Sequence, residues 1–503
     1  MKQSVKKDIL FLVLLLFGGI TMGVLSNLEP QKVFTYFEEI CGIPHGSGNI
    51  EKISDYLVQF AKDRNLYVIQ DELKNVIIVK EATAGYENEP ALIIQGHMDM
   101  VAVHKPELSI DMTKEPLKVA VDGDNIYAEG TSLGGDDGIA VAYALAILDE
   151  DTLAHPRLEV VITVDEEIGL LGAEFIDLSM LKGSRLLNLD SEEEGIFWTS
   201  CAGGSKVACN VPYASKQALG EEYKVVVSGL LGGHSGAEIH KGRGNSNVLT
   251  GRLLWALSSK MELGLVESKG GLADNAISRE TITTMVVSKE NADAFKAIVD
   301  TFAAQVKDEL ATKDPGFYVT CECMGTAEKT CIYGEELKRL AAYLVNLPDG
   351  VQAMSADVEG LVETSLNLGI MEISAKGFNG DFAVRSSVES SKNALEERLF
   401  AQTYLAGGTC ELSGSYPGWK YRVDSPLREK MVSVYEEMYG EKPRIEAIHA
   451  GLECGFLADK IADLDCVSMG PNMKDIHTTE ETLSISSVKR VWEYLVTLLA
   501  KKD

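Results

Sequence analysis

Two polar side chains follow the short strand predicted at residues 92–95. His97 and Asp99 stand two positions apart, directly after Gly96. In an extended chain, residues two apart point to the same side, so this imidazole and this carboxylate can face one point. The pair predicts half of a metal site, whose other ligands must come from elsewhere in the chain.

Two further apolar runs also end in carboxylates. Glu166 and Glu167 come after the run at residues 158–164, and Asp190 comes after the run at residues 185–189. The carboxyl ends of neighbouring parallel strands meet at one edge of a sheet, so these carboxylates are expected near the first pair. A single acidic residue at a strand end is more often solvated than a ligand, but a set of them favours a shared site.

Two more candidates lie in turns. Asp136 lies in the glycine-rich turn at residues 132–138, which leads into an alanine-rich helix, and His477 lies in a loop before the C-terminal helix. Grouped carboxylates repel each other strongly unless cations lie between them. Imidazole and carboxylate donors together suit Zn, Mn or Co better than Mg or Ca.

The adjacent glutamates can divide two tasks. One carboxylate can bind a metal while the other takes a proton from a metal-bound water. Two cations about 3.5–4 Å apart could hold that water between them, and a carboxylate must then bridge them. Asp136, in its glycine-rich turn, is the candidate for that bridge.

Continuous apolar strands that alternate with helices predict an α/β fold. The sheet is expected to be mostly parallel, with helices on both faces, and to form a metal-binding catalytic domain. Later in the chain, strands and helices continue without acidic strand ends, which predicts an inserted α+β domain. The predicted division of the 503 residues is an apolar extension at 1–28, the first part of the catalytic domain at 29–203, the inserted domain at 204–405 and the second part of the catalytic domain at 406–503.

The composition argues against some partners. Lys and Arg number 47 against 76 Asp and Glu, which gives a net charge of −29. So acidic a chain argues against nucleic acid or anionic membrane surfaces as partners. Nine scattered cysteines, an odd number in a long chain, do not form a disulfide framework and favour free thiols in a reducing compartment.

The N-terminal segment allows two interpretations. Three lysines within the first seven residues precede an apolar run at residues 9–17, which is similar to a signal peptide or a short membrane anchor. Residues 1–25 would then export the protein or tie it to a membrane. The run is shorter than the roughly 20 residues that a bilayer needs, and the alternative is that the chain begins at Met22 and is cytoplasmic.

Five motifs, in this order along the chain, resemble those of the M20 metallopeptidases. They read Gly-His-Met-Asp at residues 96–99, Leu-Gly-Gly-Asp-Asp-Gly at 133–138, Asp-Glu-Glu-Ile-Gly at 165–169, Asn-Leu-Asp at 188–190 and Asp-Ile-His at 475–477. Within that family, the loops at residues 232–236, 241–245 and 449–455 are similar to those of the aminoacyl-histidine dipeptidases, the PepD type or β-Ala-His dipeptidases. Chains of this family usually begin close to the position of Leu25, which favours Met22 as the start.

The resemblance implies a site for two divalent metal ions, with Zn expected and Mn or Co as alternatives. His97 would bind one metal and His477 the other, and Asp136 would bridge them. Glu167 and Asp190 would complete one site each.

The resemblance also implies catalytic and substrate-binding residues. Glu166 would be the general base, and Asp99 would orient the metal-binding imidazole that precedes it. His234, in the inserted lid domain, would stabilise the tetrahedral oxyanion across a dimer interface, although taken alone it could be a solvated side chain. The residues that match dipeptide-binding positions are Asn275, Arg385 and Gly451.

The implied activity is that of a homodimeric dipeptidase. The protein would hydrolyse Xaa-His and other dipeptides, with Glu166 moving the proton. One alternative is another M20 activity, such as that of a tripeptide aminopeptidase or an N-acyl-amino-acid deacylase. The other is a degenerate relative that only binds, against which the complete set of ligands and base argues.

Overall fold

A computed structural model describes residues 23–503 of the chain. Most of the N-terminal extension expected at residues 1–28 therefore lies outside the described residues. Among residues 23–503, no helix combines the length and the apolar character that crossing a membrane requires.

The chain divides into two compact units. The first contains the described residues up to Phe197 together with Asp424–Ile445 and Lys460–Asp503, and the second contains Trp198–Val423 and Glu446–Asp459. The division expected from the sequence has its boundaries after residues 203 and 405. It does not include Glu446–Asp459 in the second unit.

Residues 23–201, the first segment that the structure describes, supply four helices and eight strands. The helices are α1 (Gln31–Cys41), α2 (Glu51–Asp63), α3 (Gly135–Leu148) and α4 (Leu171–Phe175). The strands are β1 (Tyr67–Gln70), β2 (Val76–Lys80), β3 (Leu92–His97), β4 (Val119–Asp122), β5 (Asn125–Ala128), β6 (Leu158–Thr163), β7 (Arg185–Asn188) and β8 (Ile196–Cys201).

The middle segment supplies the elements of the second unit. Its strands are β9 (Gly203–Pro212), β10 (Ser215–Ser228), β11 (Gly233–His234), β12 (Leu263–Gly270), β13 (Ala276–Ile277), β14 (Thr281–Val287), β15 (Tyr318–Tyr333), β16 (Gly350–Met354), β17 (Val362–Ser374), β18 (Gly377–Ser386) and β19 (Thr409–Tyr416). Its helices are α5 (Ser246–Ser258), α6 (Ala292–Glu309), α7 (Glu335–Asn346) and α8 (Glu389–Leu405), with short 3₁₀ helices at Ile239–Lys241 and Lys289–Asn291.

The last segment mainly returns to the first unit. It contains α9 (Pro426–Tyr439), β20 (Arg444–Ile448), α10 (Cys454–Lys460), β21 (Asp465–Ser468), β22 (Met473–Lys474), β23 (Thr482–Ser484) and α11 (Ile485–Ala500).

The first unit is organised around a mixed sheet. The strand order is β1-β2-β6-β3-β7-β21, continued by β8 and β20, in which the chain passes from one unit to the other. Strands β6, β3, β7 and β21 are parallel neighbours, and β1 and β2 form an antiparallel edge. Every residue of β3 and β6 is buried, as expected for parallel strands covered on both faces. The predicted α/β fold is confirmed.

The alanine-rich helix α3 lies in the core of this unit. All 14 of its residues are buried, which explains why its sequence is apolar on every side. It packs on α1 and on β3, and its small side chains permit this close approach. The core therefore fixes the turn at the N-terminus of α3, where Asp136 lies.

The second unit contains an antiparallel sheet with helices. The strand order is β14-β10-β15-β12-β17-β18-β9-β19, and β16 pairs with β17. Side chains from α5, α6, α7 and α8 share one hydrophobic core with this sheet. A separate pairing of β11 with β13 places His234 opposite Ala276. The predicted α+β insertion describes this unit.

Candidate metal centre

The strand ends of the first unit bring the predicted groups together. His97 ends β3 and lies in register with Thr163, the last residue of β6, after which Glu166 and Glu167 follow. Asp190 comes two residues after the end of β7, the other neighbour of β3. Because these strands are parallel, their carboxyl ends lie along one edge of the sheet.

Asp136 lies between two imidazoles. Its Oδ1 is 3.2 Å from Nε2 of His97, and its Oδ2 is 3.1 Å from Nε2 of His477. Each carboxylate oxygen therefore faces a different ring nitrogen, which is the arrangement that a bridging carboxylate needs.

One further carboxylate approaches each imidazole. Oδ1 of Asp190 is 3.9 Å from Nε2 of His97, and Oε1 of Glu167 is 2.9 Å from Nε2 of His477. Candidate ligand atoms of His97, Asp136 and Glu167 all lie within 4.8 Å of one another. The five groups thus form two halves that share Asp136.

The environment of these groups fits divalent cations. Oε1 of Glu167 is buried and has no hydrogen-bond partner among residues 23–503, because its short distance to His477 lacks hydrogen-bond geometry. A buried carboxylate oxygen without a hydrogen bond is costly unless a cation binds it. Two imidazoles with several carboxylates are donors that suit Zn, Mn or Co. The residues present therefore fit the metals that the sequence predicts.

The protonation of the two imidazoles reflects the excess of carboxylates. Burial lowers the pKa of His97, but hydrogen bonds with Asp136 and Asp99 raise it well above its usual value overall. The neighbouring carboxylates of Asp136 and Glu167 raise the pKa of His477 to about 10. The negative charge of the site thus favours a positive charge, either a proton or a metal cation, at the Nε2 atom of each imidazole.

Asp99 fixes the turn that carries both glutamates. Its Oδ1 accepts the N–H of Glu166 at 3.0 Å, and its Oδ2 accepts the N–H of Glu167 at 3.4 Å and the hydroxyl of Ser47 at 2.8 Å. Nδ1 of His97 lies 3.0 Å from the Asp99 main-chain oxygen and 3.5 Å from its carboxylate. The main-chain oxygen is therefore the nearer partner of Nδ1. This contact orients the ring so that Nε2 can bind a metal.

Asp137 is a buried site residue that the sequence interpretation missed. Its side chain is fully buried, and its Oδ2 accepts the main-chain N–H of His97 at 3.1 Å. Burial raises the pKa of this carboxyl well above its usual value. The doubled Asp in the glycine-rich turn is the sequence signal that could have pointed to it.

The second unit contains a separate polar cluster around Gly236. A Cβ atom built on this glycine would lie 3.0 Å from Cε1 of His234, 3.2 Å from Nε of Arg385 and 2.4 Å from the main-chain oxygen of His449. The structure thus brings two of the predicted residues together, and His449 is an addition that the sequence interpretation lacked.

His234 presents a hydrogen-bond donor in its neutral form. Its Nδ1 accepts the N–H of Gly236 at 3.2 Å and the N–H of Ala237 at 3.1 Å, so the proton of the neutral ring lies on Nε2. Burial lowers the pKa of His234, and the nearby charge of Arg385 lowers it further. The ring is therefore neutral at physiological pH and can donate from Nε2.

Arg385 and its neighbours form the other side of this cluster. Its Nη1 donates to the Tyr416 hydroxyl at 2.9 Å, and its buried Nε has no hydrogen-bond partner among residues 23–503. Gly451 lies against the Tyr416 ring, since a Cβ built on it would be 2.8 Å from Cε2. The Asn275 side chain is exposed, and its main-chain oxygen accepts the N–H of Ser235 at 2.8 Å.

Comparison with known proteins decides the family. The model described as peptidase family M20/M25/M40 matches residues 93–501. The chain belongs to this family. The predicted M20 membership is confirmed, and the matched residues include all five candidate metal ligands of this chain.

Relatives within the family cover nearly the whole chain. This M20 protein is 36% identical to the cytosol non-specific dipeptidase of Escherichia coli (strain K12) over 481 residues, which cover 95% of this chain and 99% of that relative. The crystal structure of the aminoacylhistidine dipeptidase from Vibrio alginolyticus is 37% identical with a TM-score of 0.91, covering 95% of this chain and 98% of that one. The aminopeptidase PepT from Bacillus cereus shares the fold, with a TM-score of 0.55 at 15% identity over 94% of this chain and 98% of that one.

Proposed function

We propose that this M20 protein is a dipeptidase that hydrolyses Xaa-His and other dipeptides with two divalent cations bound. The observation that carries the proposal is the position of Asp136, whose two oxygens face the imidazoles of His97 and His477. The names of the relatives support the substrate class, since one is a non-specific dipeptidase and the other an aminoacylhistidine dipeptidase.

The five grouped side chains would hold the cations. His97 and Asp190 are assigned to one ion, His477 and Glu167 to the other, and Asp136 to both. Bound cations supply Lewis-acid polarisation of the scissile carbonyl and lower the pKa of water. Zn suits these donors, and Mn and Co are the alternatives.

Glu166 is the proposed general base. Its main-chain N–H donates to the Asp99 carboxylate, and its Oε2 lies 4.0 Å from Nε2 of His97. Glu167 serves as ligand on the other half, so Glu166 is left to accept the proton of the attacking water. It then donates that proton to the leaving amine nitrogen.

The polar cluster of the second unit is assigned to the substrate. His234 donates from Nε2 to the carbonyl oxygen as negative charge develops there, and Arg385 binds the free carboxylate of the dipeptide with its planar fork. Asn275 and Gly451 are also assigned to dipeptide binding, because they match substrate-binding positions of the family. The same resemblance supports a homodimer in which His234 is supplied by the partner copy.

The His234 assignment predicts a defect in turnover. Replacing His234 with Ala should lower kcat by about 10²–10³-fold, the usual effect of removing one oxyanion donor, with cation content unchanged. Steady-state kinetics and elemental analysis measure both quantities. His240→Ala, a change at an exposed histidine, is the matched control. An unchanged rate in His234→Ala would remove this residue from the reaction.

The substrate class is tested with a panel of blocked and unblocked substrates. Metal-reconstituted protein should cleave Xaa-His dipeptides, cleave their C-terminal amides poorly because Arg385 loses its carboxylate partner, and leave N-acylated amino acids intact. Faster hydrolysis of N-acylated amino acids or of tripeptides would replace the proposal with one of the other M20 activities. Absence of hydrolysis across the panel would leave a binding protein.

We also propose a cytoplasmic location, which the name of the E. coli cytosol enzyme supports. Membrane anchoring through residues 1–25 is the alternative. Fractionation of cells that express the full chain separates the two, because an anchored protein would sediment with membranes.

A further inference from the structure

A buried glutamate outside the proposed ligand set holds the turn that carries Asp136. The Glu481 side chain accepts four consecutive main-chain N–H groups. Its Oε2 lies 2.8 Å from N of Leu133 and 3.1 Å from N of Gly134. Its Oε1 lies 2.8 Å from N of Gly135 and 3.4 Å from N of Asp136.

The backbone of this turn is shaped for that contact. Gly134 has φ 69° and ψ 32°, the left-handed region, and a Cβ at this position would lie 2.7 Å from Sδ of Met100. Such a turn points successive N–H groups toward one anion. Asp136 and Asp137 are not helical either, so the regular part of α3 begins after them. The N–H groups before the helix therefore need another acceptor, and Glu481 is that acceptor.

One short segment supplies both this acceptor and a proposed metal ligand. Glu481 comes four residues after His477, and its main-chain N–H donates to the oxygen of Thr478 at 3.4 Å. Glu481 is only 3% exposed. The segment 477–481 thus faces Asp136 from two sides, with the imidazole at its carboxylate and the Glu481 carboxylate at its main chain.

We propose that Glu481 is a positioning residue for the two-cation site, an inference that rests on the proposed function. It fixes the main chain of Asp136 so that the two carboxylate oxygens face His97 and His477 at the same time. N–H bonds to a carboxylate are stronger than those between neutral groups. Without them, a turn with two adjacent glycines gains backbone freedom. The Asp136 carboxylate is then no longer fixed with one oxygen toward each imidazole.

The test compares Glu481→Gln with Glu480→Gln. The glutamine at 481 keeps one acceptor oxygen but turns an NH₂ group toward N–H donors of the turn. The control changes the neighbouring side chain, which is 67% exposed and paired with Lys105. Competition with a chromophoric chelator should show that Glu481→Gln binds Zn or Mn about 10–100-fold more weakly, the usual effect of losing a group that orients a ligand. Saturating cation should restore much of kcat, and the visible spectrum of the Co-loaded variant should differ from that of the wild type.

Hydrogen–deuterium exchange gives a second measurement that needs no loaded enzyme. Peptides covering residues 133–136 should exchange slowly in the metal-free wild type and faster in Glu481→Gln. Fast exchange in the metal-free wild type would overturn the proposal even if the variant failed to fold. Wild-type cation affinity and kcat in Glu481→Gln would also overturn it. If the wild type cleaves no dipeptide while Glu481→Gln still weakens cation binding, the proposed function fails and the positioning role stands.

Discussion

Replacing Glu166 with Gln should lower kcat for dipeptide hydrolysis by about 10²–10⁴-fold, the range for loss of a general base, while both cations stay bound. The amide cannot accept the proton of the attacking water, but it has nearly the shape of the carboxylate. The Glu166 side chain is only 16% exposed, and its Oε2 lies 4.0 Å from Nε2 of His97. It is not one of the five proposed ligands. The chemistry should therefore fail without loss of the site.

The matched variant for this prediction is Glu167→Gln. Because Oε1 of Glu167 lies 2.9 Å from Nε2 of His477, this change removes a proposed ligand and should lower the cation content. Elemental analysis beside kcat separates the two neighbours. Full turnover in Glu166→Gln, or cation loss equal to that of Glu167→Gln, would contradict the division of tasks between them.

Replacing Asp136 with Asn should remove more of the function than any other single ligand change. The carboxylate faces both imidazoles, so the variant weakens both halves of the site at once. Loss of cation assistance is worth several kcal/mol of transition-state stabilisation. About 4 kcal/mol corresponds to about 10³-fold in rate at about 1.36 kcal/mol per factor of ten.

Elemental analysis and kinetics on the same preparation measure this effect. Asp136→Asn should hold fewer than two cations per chain and should turn over at least about 10³-fold more slowly. Asp122→Asn, at an exposed position in β4, is the control and should match the wild type. Two tightly bound cations and normal kcat in Asp136→Asn would refute the bridging assignment.

The sequence was sufficient to find the groups at strand ends. His97 and Asp190 follow apolar strands, and the rule that parallel strands present their carboxyl ends at one edge places them together. The structure has them 3.9 Å apart. Asp136 was found because it lies in a glycine-rich turn before an alanine-rich helix.

Contacts between distant segments could not be predicted. Glu481 binds N–H groups almost 350 positions earlier, and local pattern carries no sign of that pairing. Asp99 was expected to contact the His97 ring with its carboxylate, whereas its main-chain oxygen is nearer and the carboxylate accepts N–H groups from the glutamate turn. Residue types are visible in a sequence, but which atom of a residue makes a contact depends on the folded backbone.

In the second unit, the length of a strand could not be predicted from the sequence either. The sequence pattern predicts a strand over residues 317–323, which ends at Cys323. In the structure β15 continues to Tyr333, since it pairs with β10 along residues 215–228. A long antiparallel partner stabilises a polar continuation that isolated strand propensity does not support.

The measurement that tests the central claim most directly is a cation titration of the metal-free protein with an unblocked Xaa-His dipeptide as substrate. Bound Zn or Mn and the rate of hydrolysis are recorded at each addition. If the protein is a two-cation dipeptidase, the metal-free form should not hydrolyse the dipeptide. The rate should reach its plateau as the number of bound cations approaches two per chain. Full hydrolysis by the metal-free protein, or a plateau with no dipeptide cleaved, would contradict it.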